Sequence, residues 1–143
     1  MKRLTIALLA AASLASLLSV HAKTVTWIGG ATKSGIWNTP DNWDADAVPT
    51  TGDVAVFNDA VTLTDKVDLG AGLTISNTAT VKIGTAMKGT GDLVKMGAGT
   101  INFAALTYGE FKGGVQVKEG QFTFLMTGRR APGRTVLASG VRF

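Results

Sequence analysis

The sequence contains no cysteine, and its single histidine is His21. His21 lies within a predicted leader, so the mature chain is expected to lack both residue types. Nucleophilic catalysis of the Ser-His or Cys-His kind is then excluded, because each needs an imidazole beside the nucleophile. Zinc sites of the usual His and Cys type are excluded as well. Two carboxylates could still serve a glycosidase, and the candidates are Asp41, Asp44, Asp46 and Asp53, but we interpret these as residues that cap turns. We therefore predict a protein that is not an enzyme, with no catalytic residues, no metal site and no cofactor.

Long apolar runs are absent after the first 22 residues. That first stretch has a basic start at Met1-Lys2-Arg3, an uncharged apolar run over residues 4–18, and small residues around Ala22. This order is typical of a secretory signal peptide. The run is short for a bilayer span, which takes about 20 apolar residues. We predict a leader over residues 1–22, no transmembrane segment after cleavage, and a secreted or cell-surface protein. Export without disulfides favours a Gram-negative periplasm or outer surface.

A strong excess of charge is also absent. The formal net charge of +4 falls to +2 when Lys2 and Arg3 leave with the leader. Nothing in this balance requires a nucleic-acid partner. The basic residues that remain include a cluster at Arg129, Arg130 and Arg134. The cluster is either an anion-binding site or a solvated turn between strands.

Helical periodicity is absent from the mature chain, and a repeat of about 20 residues takes its place. The first short strand of each unit is predicted to start at an apolar residue: Leu73, Leu93, Val115 and Val136. The second strand is predicted to end at Ile83, Phe103, Phe124 and Phe143. Units this small bury their apolar faces only by stacking on one another.

Within each unit apolar and polar residues alternate, as they do in strands with one buried face. Lys82, Asn102, Thr123 and Arg142 are predicted to face outward in register, between inward apolar rows. The fold class is therefore all-β, a short right-handed parallel β-helix. An antiparallel β-sandwich is the alternative, because it also fits strands at 8–12-residue spacing.

The segment before the repeats is rich in tryptophan and turn-forming residues. We predict a leader at 1–22, an aromatic N-terminal cap at 23–59 and solenoid repeats at 60–143. Trp37 and Trp43 are expected to be buried over the open end of the first coil. The alternative is a small carbohydrate-binding module in which Trp37 and Trp43 are exposed platforms, with Asp41 and Asp44 beside them. A calcium site at Asp44 and Asp46 is a further alternative, since Ca²⁺ takes several oxygen ligands.

Residues 89–103, GTGDLVKMGAGTINF, resemble the autotransporter-associated β-strand repeat, G-x-G-x-L-x-K-x-G-x-G-T-L-x-L. Tyr108, Val115, Val117 and Gly120 resemble the looser continuation of that repeat. The resemblance implies an exported bacterial passenger-type protein that acts in adhesion or interaction, and it implies no catalytic residues. Members have many repeats and often a membrane barrel, so this chain is expected to be a minimal or a truncated member.

The resulting functional hypothesis is an exported β-solenoid scaffold or surface protein. Its expected partners are a cell-surface polysaccharide, or another β-solenoid chain that pairs with an unpaired C-terminal edge. That edge is predicted at Val141-Arg142-Phe143, and an unpaired strand there is a template for another chain.

Overall fold

A computed structural model describes residues 21–29, 35–104, 110–124 and 135–137, the last three by their backbone alone. Residues 1–20 of the predicted leader, the arginine cluster and Val141-Arg142-Phe143 lie outside these ranges. The described strands are β1 (Thr24–Thr26), β2 (Val54–Phe57), β3 (Val61–Leu63), β4 (Val67–Asp68), β5 (Leu73–Asn77), β6 (Val81–Ile83), β7 (Met87–Gly89), β8 (Leu93–Met96), β9 (Thr100–Phe103), β10 (Glu110–Phe111), β11 (Val115–Val117), β12 (Gln121–Phe124) and β13 (Thr135–Leu137). A single 3₁₀ turn at Pro40–Asn42 is the one helical element of the described residues.

The strands form three sheets that run along the molecule. Sheet 1 has the order β1-β2-β5-β8-β11, sheet 2 the order β10-β7-β4, and sheet 3 the order β13-β12-β9-β6-β3. Each coil contributes one strand to each sheet, so β2-β3-β4, β5-β6-β7 and β8-β9-β10 are three successive coils, and β11 and β12 follow. Among the described strands, every pairing except β12 with β13 is parallel. The parallel β-solenoid is therefore confirmed, and the antiparallel sandwich is wrong.

Equivalent residues of successive coils lie side by side. In sheet 3, Val81 pairs with Ile101 and Ile101 with Phe122. All three are fully buried. Phe103 likewise pairs with Phe124, the two ring centroids lying 6.0 Å apart. The apolar rows predicted from the sequence thus stack as one continuous core, as a solenoid requires.

The stacked sheet reaches further toward the N-terminus than the repeats recognised in the sequence. Val54 of β2 pairs with Thr74 of β5, and Thr24 of β1 pairs with Val54. The inward row of sheet 1 therefore begins at Val25 and Ala55, which are 2% and 0% exposed. Between β1 and β2 the described residues form no strand, so the sequence repeat does not extend over the aromatic loop.

The prediction that Val136 begins a fourth stacked unit is wrong. Val136 lies opposite Phe122, and β13 runs antiparallel to β12 in sheet 3. Among the described strands, sheet 1 ends at β11. The spacing of 21 residues fits the repeat, but an alternating strand pairs equally well in either direction at a sheet edge, so spacing alone cannot set its direction.

The aromatic loop closes the N-terminal end of the solenoid. Trp27, Trp37, Trp43 and Phe57 form one cluster, with ring centroids 4.8 Å apart for Trp37 and Trp43 and 5.1 Å apart for Trp27 and Trp43. Trp27 and Trp43 also form an antiparallel bridge. The N-terminal aromatic cap is confirmed, because these rings cover the first coil and keep water from its core.

Candidate functional site

The outer surface of sheet 3 is a row of polar side chains. Thr62, Lys82, Asn102 and Thr123 are in register across four neighbouring strands. Lys82 is exposed, and Asn102 and Thr123 are half-buried. The outward position of these last three residues confirms the alternation predicted from the sequence. Arg142, predicted to continue the row, lies outside the described residues.

Sheet 2 presents a row of alternating charge that the sequence did not reveal. Asp68, Lys88 and Glu110 are adjacent in register. Lys88 Nζ lies 2.9 Å from Asp68 Oδ2, and Lys66 Nζ lies 2.7 Å from Glu110 Oε1. The hydrogen bond from Lys88 lowers the pKa of Asp68 and raises that of Lys88. Like charges on adjacent strands would repel, so the alternation favours this register over a shifted one.

Trp37 and Trp43 are both 0% exposed, so neither ring offers a face to a sugar. The indole Nε1 of Trp43 donates to the carbonyl oxygen of Trp37 at 2.9 Å. A platform for a glycan ring has to be accessible on at least one face. The structure therefore argues against the carbohydrate-binding alternative at these two residues.

The aspartates near the tryptophans hold the cap in place. Asp44 Oδ1 accepts from the backbone N–H of Thr26, and Asp65 Oδ2 accepts from that of Asn38. Asp41 is exposed at the 3₁₀ turn and is not brought into this network. In the described ranges, no group of three or more Asp, Glu, His or Cys residues is placed to hold a metal ion. The Asp44 carboxylate therefore serves to hold the backbone of the cap by a hydrogen bond.

Asp53 ties the end of the aromatic loop to the start of β1. Burial alone would raise the pKa of Asp53, but backbone N–H groups of Lys23 and Thr50 donate to its carboxylate and hold that pKa below its ordinary value. The two bonds measure 2.9 Å and 2.8 Å. The carboxylate therefore stays ionised and fixes both ends of the loop.

A buried lysine occupies one corner of the solenoid. Lys95 lies in the inward row of sheet 1, between Ile75 and Val117, and is 0% exposed. Its Nζ donates to the carbonyl oxygens of Met96, Gly97 and Glu119 at 2.6, 2.6 and 3.1 Å. Burial lowers the pKa of Lys95 to about 8. The ammonium group thus donates to three backbone carbonyl oxygens at this corner.

Glycines make room for this corner. A Cβ on Gly120 would overlap the Gly97 carbonyl oxygen and lie 2.8 Å from Lys95 Nζ. Gly120 also has a φ of 73°, and Gly97 one of 76°, where side chains other than glycine are strained. The K-x-G spacing in the sequence was the available signal for the corner, although the burial of the lysine was not predicted.

The C-terminal end of sheet 1 is an unpaired edge. Gly114 O accepts from Leu93 N, and Lys118 N donates to Lys95 O, so alternate residues of this segment face β8. The N–H and C=O groups of Val115 and Val117 consequently point away from β8, and no described strand pairs with them. Val115 and Val117 are each 8% exposed, whereas Leu93 in the preceding coil is fully buried. The open edge is therefore at β11 within the described residues.

In comparisons with known proteins, no family model, no curated protein and no solved structure matches this chain. Across the ranges that the structure covers, the chain forms no helix with the length and apolar character that crossing a membrane takes.

Proposed function

We propose that this chain is an exported bacterial β-solenoid scaffold or surface protein of the autotransporter passenger type, which acts in adhesion or interaction and not in catalysis. The observation that supports this most is the repeating outer surface, in which Thr62, Lys82, Asn102 and Thr123 recur at strand spacing. A surface with one row of polar groups per coil suits a partner that also repeats, such as a cell-surface polysaccharide. The resemblance of residues 89–103 to the passenger repeat supports the same function.

Two parts of the proposal, export and interaction, are tested separately. If the chain is exported, the full sequence produced in a Gram-negative bacterium is expected to be recovered outside the cytoplasm. Its mass should be that of a chain whose first residue is Lys23. A product that keeps Met1 and stays in the cytoplasm would contradict export.

Interaction is tested with purified mature chain and intact bacterial cells, or their extracted surface polysaccharide. The double variant Lys82→Ala and Asn102→Ala removes the centre of the sheet 3 row and is expected to weaken binding several-fold. Thr74→Ala on the outer face of sheet 1 is the matched control, and it should bind as the unaltered chain does. Binding that is absent in the unaltered chain, or equal in both variants, counts against the proposed surface.

A further inference from the structure

The two ends of sheet 1 differ in whether the outward-pointing backbone groups of the last strand have hydrogen-bond partners. At the N-terminal end, both outward-facing backbone groups of Thr26 are occupied by Asp44. The Thr26 N–H donates to Asp44 Oδ1 at 2.8 Å, and the Thr26 carbonyl oxygen accepts from Asp44 N at 2.9 Å. Natural sheets protect their edges in this way from pairing with other chains. A further strand therefore cannot pair with β1 at Thr26 without displacing Asp44, which disfavours a head-to-tail stack of identical chains.

At the C-terminal end, β11 has outward-pointing groups at Val115 and Val117 that no described strand pairs with. The neighbouring strand at this end, β12, is already paired with an antiparallel strand, β13. The last coil can therefore accept an antiparallel strand beside it. An antiparallel partner for β11 must continue the inward row with small apolar residues, and must match the charges on the outward face.

We propose that the partner is a second copy of this chain, with two β11 strands pairing antiparallel about a two-fold axis at Gln116. This inference rests on the proposed interaction function and names the partner of the open edge. In that register Val115 of one copy lies opposite Val117 of the other. The two valines exchange backbone hydrogen bonds with their counterparts, since their free groups face the partner.

Charge complementarity favours this register. Lys118 of each copy lies opposite Gly114 of the other, on the outward face. The Asp92 carboxylate lies directly beside Gly114, because its Oδ1 accepts from Gly114 N at 2.8 Å, and its Oδ2 accepts from Gln116 Nε2 of the same copy at 2.7 Å. A Cβ on Gly114 would be 3.2 Å from Oδ1. With no side chain at Gly114 to intervene, the exposed Lys118 ammonium of one copy approaches the Asp92 carboxylate of the other, and the two-fold axis repeats the pair.

The two-fold axis gives a direct geometric test. Gln116 faces its own equivalent in a pair that does not exchange hydrogen bonds, where opposed Cβ atoms are about 4.5–5.5 Å apart. That separation is close to what a disulfide needs. Because the chain has no cysteine, Gln116→Cys in the full chain is expected to form a disulfide-linked dimer under mild oxidation. Lys82→Cys, exposed on sheet 3, is the control and should stay mostly monomeric.

Analytical ultracentrifugation over a concentration series is the second measurement. The unaltered chain is expected to approach the mass of a dimer. Lys118→Glu places like charges against Asp92 and should weaken dimerisation by about tenfold or more, whereas Lys82→Glu makes the same charge change on another face and should have little effect.

Three results would overturn the two-fold pairing. These are a chain that stays monomeric throughout the series, masses that grow beyond the dimer, and equal cross-linking of Gln116→Cys and Lys82→Cys. None of them depends on export or on polysaccharide binding, so failure here is distinguishable from failure of the proposed function.

Discussion

At the scale of single residues, Lys95 is the least expected feature of the core. An inward row of apolar residues is interrupted by an ammonium group, and three backbone carbonyl oxygens surround it. Burying a charge costs free energy unless hydrogen bonds compensate for it. Here the compensation is local, because the ammonium group donates to the carbonyl oxygens of the two residues that follow it, Met96 and Gly97, and to that of Glu119 in the next coil.

We expect Lys95→Met to lower the free energy of unfolding at pH 7 by about 1–3 kcal/mol, because it leaves buried carbonyl oxygens without a donor. Chemical denaturation measures the change. Lys82→Met, on the exposed face of sheet 3, is the control and should change stability by less than about 0.5 kcal/mol. Equal stability of the two variants would show that the corner carbonyls do not depend on Lys95.

Lys95 also gives stability a pH dependence with a defined sign. Its pKa is about 8 in the folded state, below the ordinary value of 10.5. Between these values the unfolded chain binds more protons than the folded chain, so the contribution of this residue to stability rises with pH. The difference in unfolding free energy between the unaltered chain and Lys95→Met should therefore widen from pH 8 to pH 10.5. A difference that narrows over this interval contradicts the assignment.

At the scale of elements, the aromatic loop determines how the first coil ends. Trp37 and Trp43 have no exposed surface, and Asp44 and Asp65 fasten the loop through backbone N–H groups. The cap therefore has two functions, to cover the apolar end of the core and to occupy the edge of β1.

Trp37→Ala is expected to destabilise the fold by about 3–5 kcal/mol, because it leaves a large cavity in the cap. Thermal unfolding followed by circular dichroism measures this loss. Asp41→Ala, in the same loop but exposed, should leave the midpoint nearly unchanged. A Trp37→Ala chain of unaltered stability that loses binding to glycans would instead restore the carbohydrate-binding alternative.

Some elements could be predicted from sequence and others could not, for physical reasons. The rows at Val81, Ile101 and Phe122 follow from period-two alternation repeated at a constant spacing, and stacking requires that match. Strand β7 was missed because Met87–Gly89 shows no alternation and is held partly by the charge row of sheet 2. The direction of β13 was mistaken because alternation is the same in parallel and antiparallel strands. The corner role of Lys95 depends on carbonyl positions that only the folded coil defines.

At the scale of the whole molecule, the aromatic cap covers the N-terminal end of the solenoid, and among the described strands β11 leaves an unpaired edge at the other end of sheet 1. Each coil pairs its strands only with those of its neighbours, so stability is expected to vary along the stack. The coil under the aromatic cap is packed on both sides, whereas the described last strand of sheet 1 has a neighbour on one side only.

Amide hydrogen exchange should show this gradient. The amides of Val115 and Val117, which face away from β8, are expected to exchange much faster than the amide of Gln116, which faces it. Amides of β5 in the middle of sheet 1 should be the most protected. Nuclear magnetic resonance on dilute protein resolves these sites. Uniform protection along β11 would mean that another segment or copy covers its edge, and a concentration series would separate these two cases.

The parallel register of β5, β8 and β11 has a consequence for how this architecture lengthens. Because Leu73, Leu93 and Val115 are adjacent at steps of one coil, duplicating the segment between two such positions inserts a complete layer without altering either terminus. Gene duplication, or a designer, could therefore lengthen the molecule by whole coils, whereas a one-residue insertion within a strand would exchange its inward and outward side chains.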